Sequence, residues 1–338
     1  MLKILVIENI PPTSQNIWWK VYLKKYKNIK IDILKVGQPK EINDFLKLFK
    51  IGLLMYKCLK KSQYDLIITF ECGWETFLLS FYQSLFFKKK PAHIILDFIM
   101  REKTEKLYSR LKYIFMKFCF SSVALVVCSS SSERDYYIKV FNWKQNKAVF
   151  IPLYVRPLFF KFNPSNGDYI FSAGRTFRDY ETLLKAVKGL PTKVIIVASR
   201  KNLEDLTVPI PHNVTIRSDI PLDEYAELLA KSKFVVLPLQ ERVISVGQLV
   251  LLESMALGKA TIVTKAPGIM DYVIDNVTGL LVNPKKPKEL REKIMFLLNH
   301  PELINSLGKA AKEKIIKYHQ IEHYITKLCK ILKQNHLL

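Results

Sequence analysis

One glycine and one glutamate are spaced to suit a helix that binds an anion at its amino end. The short apolar run Phe234–Leu239 has the pattern of a buried strand, and a helical pattern begins near Gly247 after a loop. Free backbone N–H groups at a helix start favour an anion such as a diphosphate, and a glycine there allows close approach. Glu253 lies about two turns into this helix on an apolar face, so its carboxylate needs hydrogen-bond donors. Ribose hydroxyls or a nearby lysine could provide them.

A second candidate group lies upstream, where Gly174, Arg175 and Arg178 follow the strand pattern Tyr169–Ala173. A guanidinium presents a planar fork of donors that binds phosphate oxygens in two directions at once. Positioned there, it would stabilise the charge that grows on a leaving diphosphate. For Arg175 alone, an ordinary surface cation is the alternative interpretation.

The sequence Glu253-Ser-Met-Ala-Leu-Gly-Lys-Ala-Thr-Ile262, followed by Thr278-Gly-Leu-Leu-Val282, resembles the donor-binding core of family 4 glycosyltransferases (glycosyl transferases group 1). Those enzymes have the GT-B fold and the pattern Glu, seven residues, Glu, then Ala-Met-Ala-x-Gly-Lys-Pro-Val-Ile. Phe171–Arg178 is similar to the Gly-Arg loop of the same family. The resemblance implies that Glu253 holds the nucleotide ribose and that Gly174 and Arg175 meet the donor diphosphate.

Two further roles follow from the same resemblance. Arg178 stands in for a lysine that the family usually carries a few residues after its arginine. Asp97 is what remains, as Leu96-Asp97, of a His-Asp pair that the family places near the sugar. His93 lies inside the preceding strand pattern and is interpreted as a core or edge histidine.

The chain departs from the family pattern in two places. Ser245 stands where the first glutamate of the motif is expected, so the contact to the transferred sugar is open. Ser245 and Gln248 could supply that polar contact beside Gly247, or Glu241 could reach it from the loop. The loop after the first strand, Glu8–Ser14, lacks the glycine-rich turn that the family usually has near the donor phosphates.

The elements that would position these residues form two strand–helix series, which favour parallel sheets covered by helices. The Pro-, Asn- and Gly-containing stretch Tyr154–Asp168 has the composition of a linker between them. The predicted fold class is therefore α/β, GT-B, with two doubly wound Rossmann-like domains facing across a cleft.

The predicted domains are an acceptor-binding domain at 1–155, a nucleotide-sugar-binding domain at 168–318, and a carboxyl-terminal helix at 319–338 that packs back on the first domain. The series in the second domain includes a predicted helix at Ile269–Ile274. Ser129–Ser132 are predicted to cap a helix in the first domain.

Composition narrows the functional class. The five cysteines are scattered without a CxxC pair, which is typical of free thiols in a reducing cytoplasm rather than of disulfides or zinc ligands. No metal site and no cofactor other than the co-substrate are predicted. The chain has no apolar run of 18 residues and its start reads as a strand, so neither a membrane span nor a signal peptide is expected.

The net charge of +23 attracts polyanions or anionic surfaces. Residues 1–157 are the more basic part, with 27 Lys and Arg against 12 Asp and Glu. Two aromatic and aliphatic stretches there are flanked by lysines, at Phe77–Lys90 and Leu107–Lys117. They indicate either a peripheral contact with an anionic membrane face or two core helices with solvated lysines.

Together these features predict a metal-independent, retaining glycosyltransferase. It would move a sugar from a UDP- or GDP-linked donor to a glycan or lipid-linked acceptor, in the cytoplasm or at the inner membrane face, in the synthesis of a cell-surface polysaccharide or glycolipid. A non-catalytic sugar-nucleotide-binding protein of the same fold and, less favoured, a nucleotide-sugar epimerase remain as alternatives. A nucleic-acid-binding protein has charge alone in its favour, since no nucleic-acid module is present.

Overall fold

A computed structural model describes residues 1–10, 28–37, 45–60, 63–87 and 91–337. The chain divides into two compact units, the first comprising Met1–Ile151 and Ile325–Leu338 and the second comprising Pro152–Tyr324. Residues 154–168, predicted as a linker between domains, thus belong to the second unit.

The first unit contains a parallel sheet of six described strands in the order β2-β1-β3-β4-β5-β6. The strands are β1 (Leu2–Ile10), β2 (Ile29–Gly37), β3 (Leu66–Phe70), β4 (Ala92–Leu96), β5 (Leu125–Cys128) and β6 (Ala148–Phe150). Strands β3, β4 and β5 read as nearly continuous apolar runs because they are buried on both faces of the sheet.

Four described helices accompany this sheet before residue 151. They are α1 (Phe45–Lys60), α2 (Trp74–Phe86), α3 (Leu107–Cys119) and α4 (Ser131–Phe141). The predicted serine cap of α4 is confirmed, since the Ser130 hydroxyl accepts a hydrogen bond from the Glu133 N–H at 3.2 Å.

The second unit repeats the plan with a parallel sheet of six described strands in the order β12-β11-β10-β7-β8-β9. The strands are β7 (Tyr169–Gly174), β8 (Lys193–Ala198), β9 (Val214–Ser218), β10 (Phe234–Leu237), β11 (Thr261–Thr264) and β12 (Leu280–Val282). The order reverses at β7, so β7 and β10 lie side by side although 59 residues separate them. Ligands of open parallel sheets bind beyond the carboxyl ends of strands at such a reversal.

Helices lie between these strands and after β12. They are α5 (Tyr180–Val187), α6 (Arg200–Glu204), α7 (Leu222–Ala230), α8 (Gln248–Ala256), α9 (Pro287–Asn299), α10 (Pro301–Tyr318) and α11 (Ile321–Gln334). Helix α5 begins after Asp179, whose carboxylate accepts the Thr182 N–H at 3.1 Å.

The predicted helix at Ile269–Ile274 is wrong. A 3-10 turn covers Pro267–Ile269 and irregular turns follow it. The hydroxyl of Thr278 accepts the Ile274 N–H at 2.9 Å, which gives that donor a side-chain partner in place of a helical carbonyl.

Candidate functional site

Two loops meet at the carboxyl ends of the adjacent strands β7 and β10. The Asp179 N–H donates to the Pro238 carbonyl at 3.1 Å, and the Gln240 N–H donates to the Phe177 carbonyl at 3.0 Å. These backbone hydrogen bonds tie the loop that carries Arg175 to the loop that leads to Gly247. The structure thus brings together the two segments that the sequence analysis singled out separately.

Gly174 ends β7 with a φ of +135°, in a region that favours glycine. A Cβ at this position would lie 2.1 Å from Nε of Arg178, so the guanidinium packs directly on the glycine. Arg178 donates from Nε to the Ala173 carbonyl at 2.9 Å and from Nη1 to the Thr176 carbonyl at 2.8 Å. The buried arginine therefore braces the loop from within, and burial lowers its pKa. Its predicted contact with the diphosphate stays a prediction.

Arg175 lies differently from Arg178. Its side chain is exposed, and within the described residues its guanidinium has no hydrogen-bond or ion-pair partner. Arg242, which the sequence analysis did not single out, places its guanidinium carbon 4.8 Å from the centre of the Phe177 ring in the same pair of loops. The loop pair therefore carries two cations besides the buried Arg178.

Helix α8 starts at Gly247, which has a φ of +84°. A Cβ there would lie 2.8 Å from Cδ2 of Leu239, so glycine is required for both backbone and packing reasons. The first helical hydrogen bond runs from the Leu251 N–H to the Gly247 carbonyl at 3.1 Å. The N–H groups of the first turn of α8, which come before Leu251, have no acceptor within the helix. They give this end of the helix the partial positive charge that attracts anions.

Gln248 and Ser245 flank this helix start. Gln248 is buried, and its side-chain Nε2 donates to the Gly268 carbonyl at 3.1 Å, which fixes the turn after β11. Ser245 is half-buried in the loop before α8. Contacts of either residue with a donor sugar remain predictions.

The carboxylate of Glu253 is almost completely buried and is held by two protein side chains. Oε1 accepts from Nε of Arg156 at 2.9 Å and from its Nη2 at 2.5 Å, while Oε2 accepts from the Tyr225 hydroxyl at 2.7 Å. Burial raises the pKa of Glu253, and the Arg156 guanidinium opposes that shift. The donors are therefore an arginine and a tyrosine, whereas the sequence analysis considered a ribose or a lysine. The predicted ribose contact stays a prediction.

Sequence reasoning missed both partners of Glu253. Arg156 lies in the stretch predicted as a linker, and its guanidinium carbon stacks 5.0 Å from the centre of the buried Phe159 ring. Tyr225 contacts Phe159 and Phe171 edge-on or tilted, with ring centres 6.2 and 5.8 Å apart. The signal available was the Pro157–Phe159 turn, where a large apolar residue next to a proline argues for packing rather than for a free linker.

Lys259 of the Gly-Lys motif has a structural role. Its ammonium donates to the carbonyls of Ser165 and Ser232, both at 2.7 Å, and the residue is buried. Burial lowers the pKa of Lys259 to about 8. The motif lysine thus anchors the turn before β7 and the end of α7 to the start of β11.

Asp97 belongs to the first unit. It follows β4, is half-buried, and has a φ of +51°. His93, four residues earlier, is fully buried with Nε2 2.9 Å from the Thr69 hydroxyl, and burial lowers the pKa of His93 to about 3. The interpretation of His93 as a core residue is confirmed.

The remaining predictions concern a metal site, a membrane-spanning helix and the loop after the first strand. Across the described ranges, no three His, Cys, Asp or Glu side chains are close enough to hold a metal ion. Within the same ranges, no helix is both long and apolar enough to cross a bilayer. The loop Glu8–Ser14 lies largely outside the described residues.

Comparison with known proteins agrees with this geometry. Residues 157–314 match the model of the family described as glycosyl transferases group 1. An uncharacterized glycosyltransferase of Methanocaldococcus jannaschii is 37% identical over 91 residues, which is 27% of this chain and 25% of that protein. An N,N'-diacetylbacillosaminyl-diphospho-undecaprenol α-1,3-N-acetylgalactosaminyltransferase of Campylobacter jejuni is 32% identical over 117 residues, 35% of this chain and 29% of the relative. The alignments thus span less than a third of either relative.

Solved structures extend the likeness to the whole chain. The Anabaena protein HepE, crystallised with UDP and glucose, superposes with a TM-score of 0.71 over 99% of this chain and 100% of its own, at 14% identity. Identity at that level concerns the fold, and the two six-stranded parallel sheets with flanking helices are those of GT-B proteins. Residues 157–314, which lie wholly within the second unit, therefore belong to the glycosyl transferases group 1 family, within a chain that has the GT-B fold.

Proposed function

We propose that this protein is a retaining, metal-independent glycosyltransferase that transfers a sugar from a UDP- or GDP-linked donor to a glycan or lipid-linked acceptor. One observation carries the proposal. The exposed Arg175 follows β7, and the loop after the neighbouring strand β10 leads to Gly247 at the start of α8. Backbone hydrogen bonds join these two loops. Both lie in the segment that matches the family model. The likeness to a protein crystallised with UDP supports the donor class.

Each part of this loop pair has a chemical task in the proposed reaction. The N–H groups of the first turn of α8 would each donate a hydrogen bond to a phosphate oxygen, and Arg175 would bind the terminal phosphate as its negative charge grows. Arg178 would keep the backbone of the loop rigid, because its guanidinium already occupies two loop carbonyls. Asp97, from the first unit, would contact the transferred sugar.

The reaction breaks the bond between the anomeric carbon and the diphosphate oxygen, and it forms a bond from the same carbon to an acceptor hydroxyl oxygen. The acceptor's proton passes to an oxygen of the departing phosphate, so no side chain has to act as general base. Attack on the face from which the diphosphate leaves retains the anomeric configuration. The likeness of the motif Glu253–Lys259 to family 4 supports this stereochemical course.

The acceptor and cell location are part of the same proposal. The Campylobacter jejuni relative acts, by its name, on a diphospho-undecaprenol compound, which supports a lipid-linked acceptor for this chain. Such a substrate would place the protein at the inner face of a membrane, in the synthesis of a cell-surface polysaccharide or glycolipid.

The test is a turnover assay with a panel of UDP- and GDP-sugars, read by NMR of the anomeric proton in the product. The proposal expects release of one nucleoside diphosphate and a product with the donor's anomeric configuration, both undiminished by a chelator. Arg175→Ala should lower turnover about 100-fold, since loss of a positioned charge-stabilising donor costs roughly that much. Lys188→Ala, which removes an exposed cation beyond the carboxyl end of α5, serves as the matched control.

Inversion of the anomeric centre would contradict the stereochemical part of the proposal. Binding of a sugar nucleotide with no release of diphosphate would favour the non-catalytic alternative. The replacement of the first motif glutamate by Ser245 is the specific observation that keeps this second candidate in place.

A further inference from the structure

Helix α3 in the first unit presents a continuous apolar stripe to solvent. Six of its large apolar side chains are exposed, between 43% and 78% of each residue, and they recur at the spacing of one helix face: Leu107, Tyr108, Leu111, Ile114, Phe115 and Phe118. The opposite face, with Tyr113, Met116 and Cys119, is buried against the unit. The helix is therefore apolar on both sides, although only one side has a partner among the residues that the structure describes.

Two neighbouring helices extend the exposed apolar surface. Helix α2 packs beside α3, since the Ser84 hydroxyl donates to the Cys119 carbonyl at 2.8 Å and Phe81 contacts Phe115 with ring centres 5.8 Å apart. Between α1 and α2 lies an apolar groove of about 440 Å³. Its lining includes the exposed residues Phe49, Leu53 and Phe86. We call the exposed apolar side chains of α1, α2 and α3 the three-helix face.

The charges on the three-helix face all have one sign. Helix α1 carries four lysines and no acidic residue, and helix α3 carries Arg110, Lys112 and Lys117 and no acidic residue. Glu75, the acidic residue of α2, is 1% exposed and lies at the other end of that helix from Phe86. The surface therefore combines large apolar side chains with exposed ammonium and guanidinium groups and has no exposed carboxylate on its helices.

We propose that the three-helix face docks onto an anionic lipid bilayer, with the apolar stripe of α3 inserted at the level of the headgroups. A helix in that plane buries its apolar residues at the acyl boundary while its lysines and arginines meet lipid phosphates. A second copy of the chain fits less well, because a two-fold interface would oppose the same cations across the contact. The proposal concerns where the protein works and does not depend on sugar transfer.

The experiment is flotation of the full chain with vesicles of phosphatidylcholine alone and of phosphatidylcholine with phosphatidylglycerol, at low and at high salt. The wild type should float with the anionic vesicles at low salt and should be released progressively as salt screens the attraction. Ile114→Asp should weaken binding about tenfold or more, since it removes an exposed apolar side chain that the membrane would bury and adds a negative charge that anionic lipids repel. The double variant Arg110→Glu, Lys112→Glu should also lose about tenfold or more.

Matched controls separate docking from folding. Ile210 is an equally apolar side chain that is 50% exposed in the second unit, and Ile210→Asp should bind vesicles as the wild type does. Circular dichroism melts of the variants confirm that they are folded. Failure of the wild type to float with anionic vesicles at low salt would overturn the proposal, as would equal binding by Ile114→Asp and Ile210→Asp. A dimer that light scattering detects and that Ile114→Asp dissociates would assign the face to a second copy instead.

Discussion

A single methyl group added at the start of α8, in Gly247→Ala, should destabilise the second unit by a measurable free energy. Gly247 has a φ of +84°, and the Cβ of Gly247→Ala would lie 2.8 Å and 3.0 Å from the two methyl carbons of Leu239. The left-handed backbone costs roughly 1–2 kcal/mol for a residue with a Cβ. Forcing the contact with Leu239 adds about 1–3 kcal/mol of overpacking. The free energy of unfolding should thus fall by about 2–5 kcal/mol.

The matched control for this variant is Gly189→Ala. Gly189 has a φ of +71°, yet no heavy atom lies within 4 Å of the position that its Cβ would take. Gly189→Ala therefore pays the backbone strain alone, about 1–2 kcal/mol. For a unit of this size the melting temperature falls by about 2–4 °C per kcal/mol. Gly247→Ala should then melt roughly 4–20 °C below the wild type by calorimetry and clearly below Gly189→Ala.

The same variant also tests the function of the helix start. The added methyl group displaces the first turn of α8, so the affinity for a nucleoside diphosphate, measured by calorimetry, should drop about tenfold or more. A tenfold loss corresponds to about 1.4 kcal/mol of binding free energy. A second change, Leu239→Ala, removes both clashing methyl groups and should restore part of that affinity. Equal melting temperatures for Gly247→Ala and Gly189→Ala, with full nucleotide affinity, would refute the packing assigned to this glycine.

Three further predictions concern buried ionisable groups. Arg156→Ala leaves the Glu253 carboxylate buried without the two N–H donors of its ion-pair partner, so the free energy of unfolding should fall by about 3 kcal/mol. A double-mutant cycle with Glu253→Gln, measured by urea denaturation, should show strong coupling, and additive effects would contradict the pairing. Lys259→Met leaves two carbonyls without their donor and should cost about 2–4 kcal/mol by the same measurement; an unchanged midpoint would contradict its anchoring role. Because burial lowers the pKa of His93 to about 3 from an ordinary value of 6.5, its ring stays neutral in the folded state while the unfolded state takes up a proton below pH 6.5. Stability should be fully kept above that pH and fall by about 1.4 kcal/mol per unit below it, down to the folded pKa. Urea denaturation at pH 7 and 5.5 should show a smaller loss for His93→Gln, and identical losses would contradict this account.

Much of the fold could be predicted from the sequence because local pattern and tertiary packing agree in most elements. The apolar periodicity of Tyr180–Val187 and Leu222–Ala230 coincides with α5 and α7, since in each case the periodic face is the one that packs on the sheet. The apolar run Phe234–Leu237 likewise coincides with β10, because a short continuous apolar run between turn residues favours a strand that is buried on both faces.

The environment of Glu253 could not be predicted in the same way. Its partners come from 97 residues upstream and 28 residues upstream, and no local pattern links positions that far apart. Arg156 stands among prolines and other turn formers, which indicate loops but say nothing of which surface a loop packs on. Buried polar networks form where tertiary packing desolvates a charge, so they become visible only when the fold is known.

The central claim is that the loops after β7 and β10 form a diphosphate site with Arg175 and the start of α8. The most direct measurement is titration calorimetry of UDP and GDP against the wild type and Arg175→Ala, with Lys188→Ala as the control. One of the two nucleotides should bind the wild type and Lys188→Ala equally, and Arg175→Ala should bind it at least about tenfold more weakly, as expected for a lost charge-assisted pair. Equal affinity for all three proteins, or no binding of either nucleotide, would contradict the site described above.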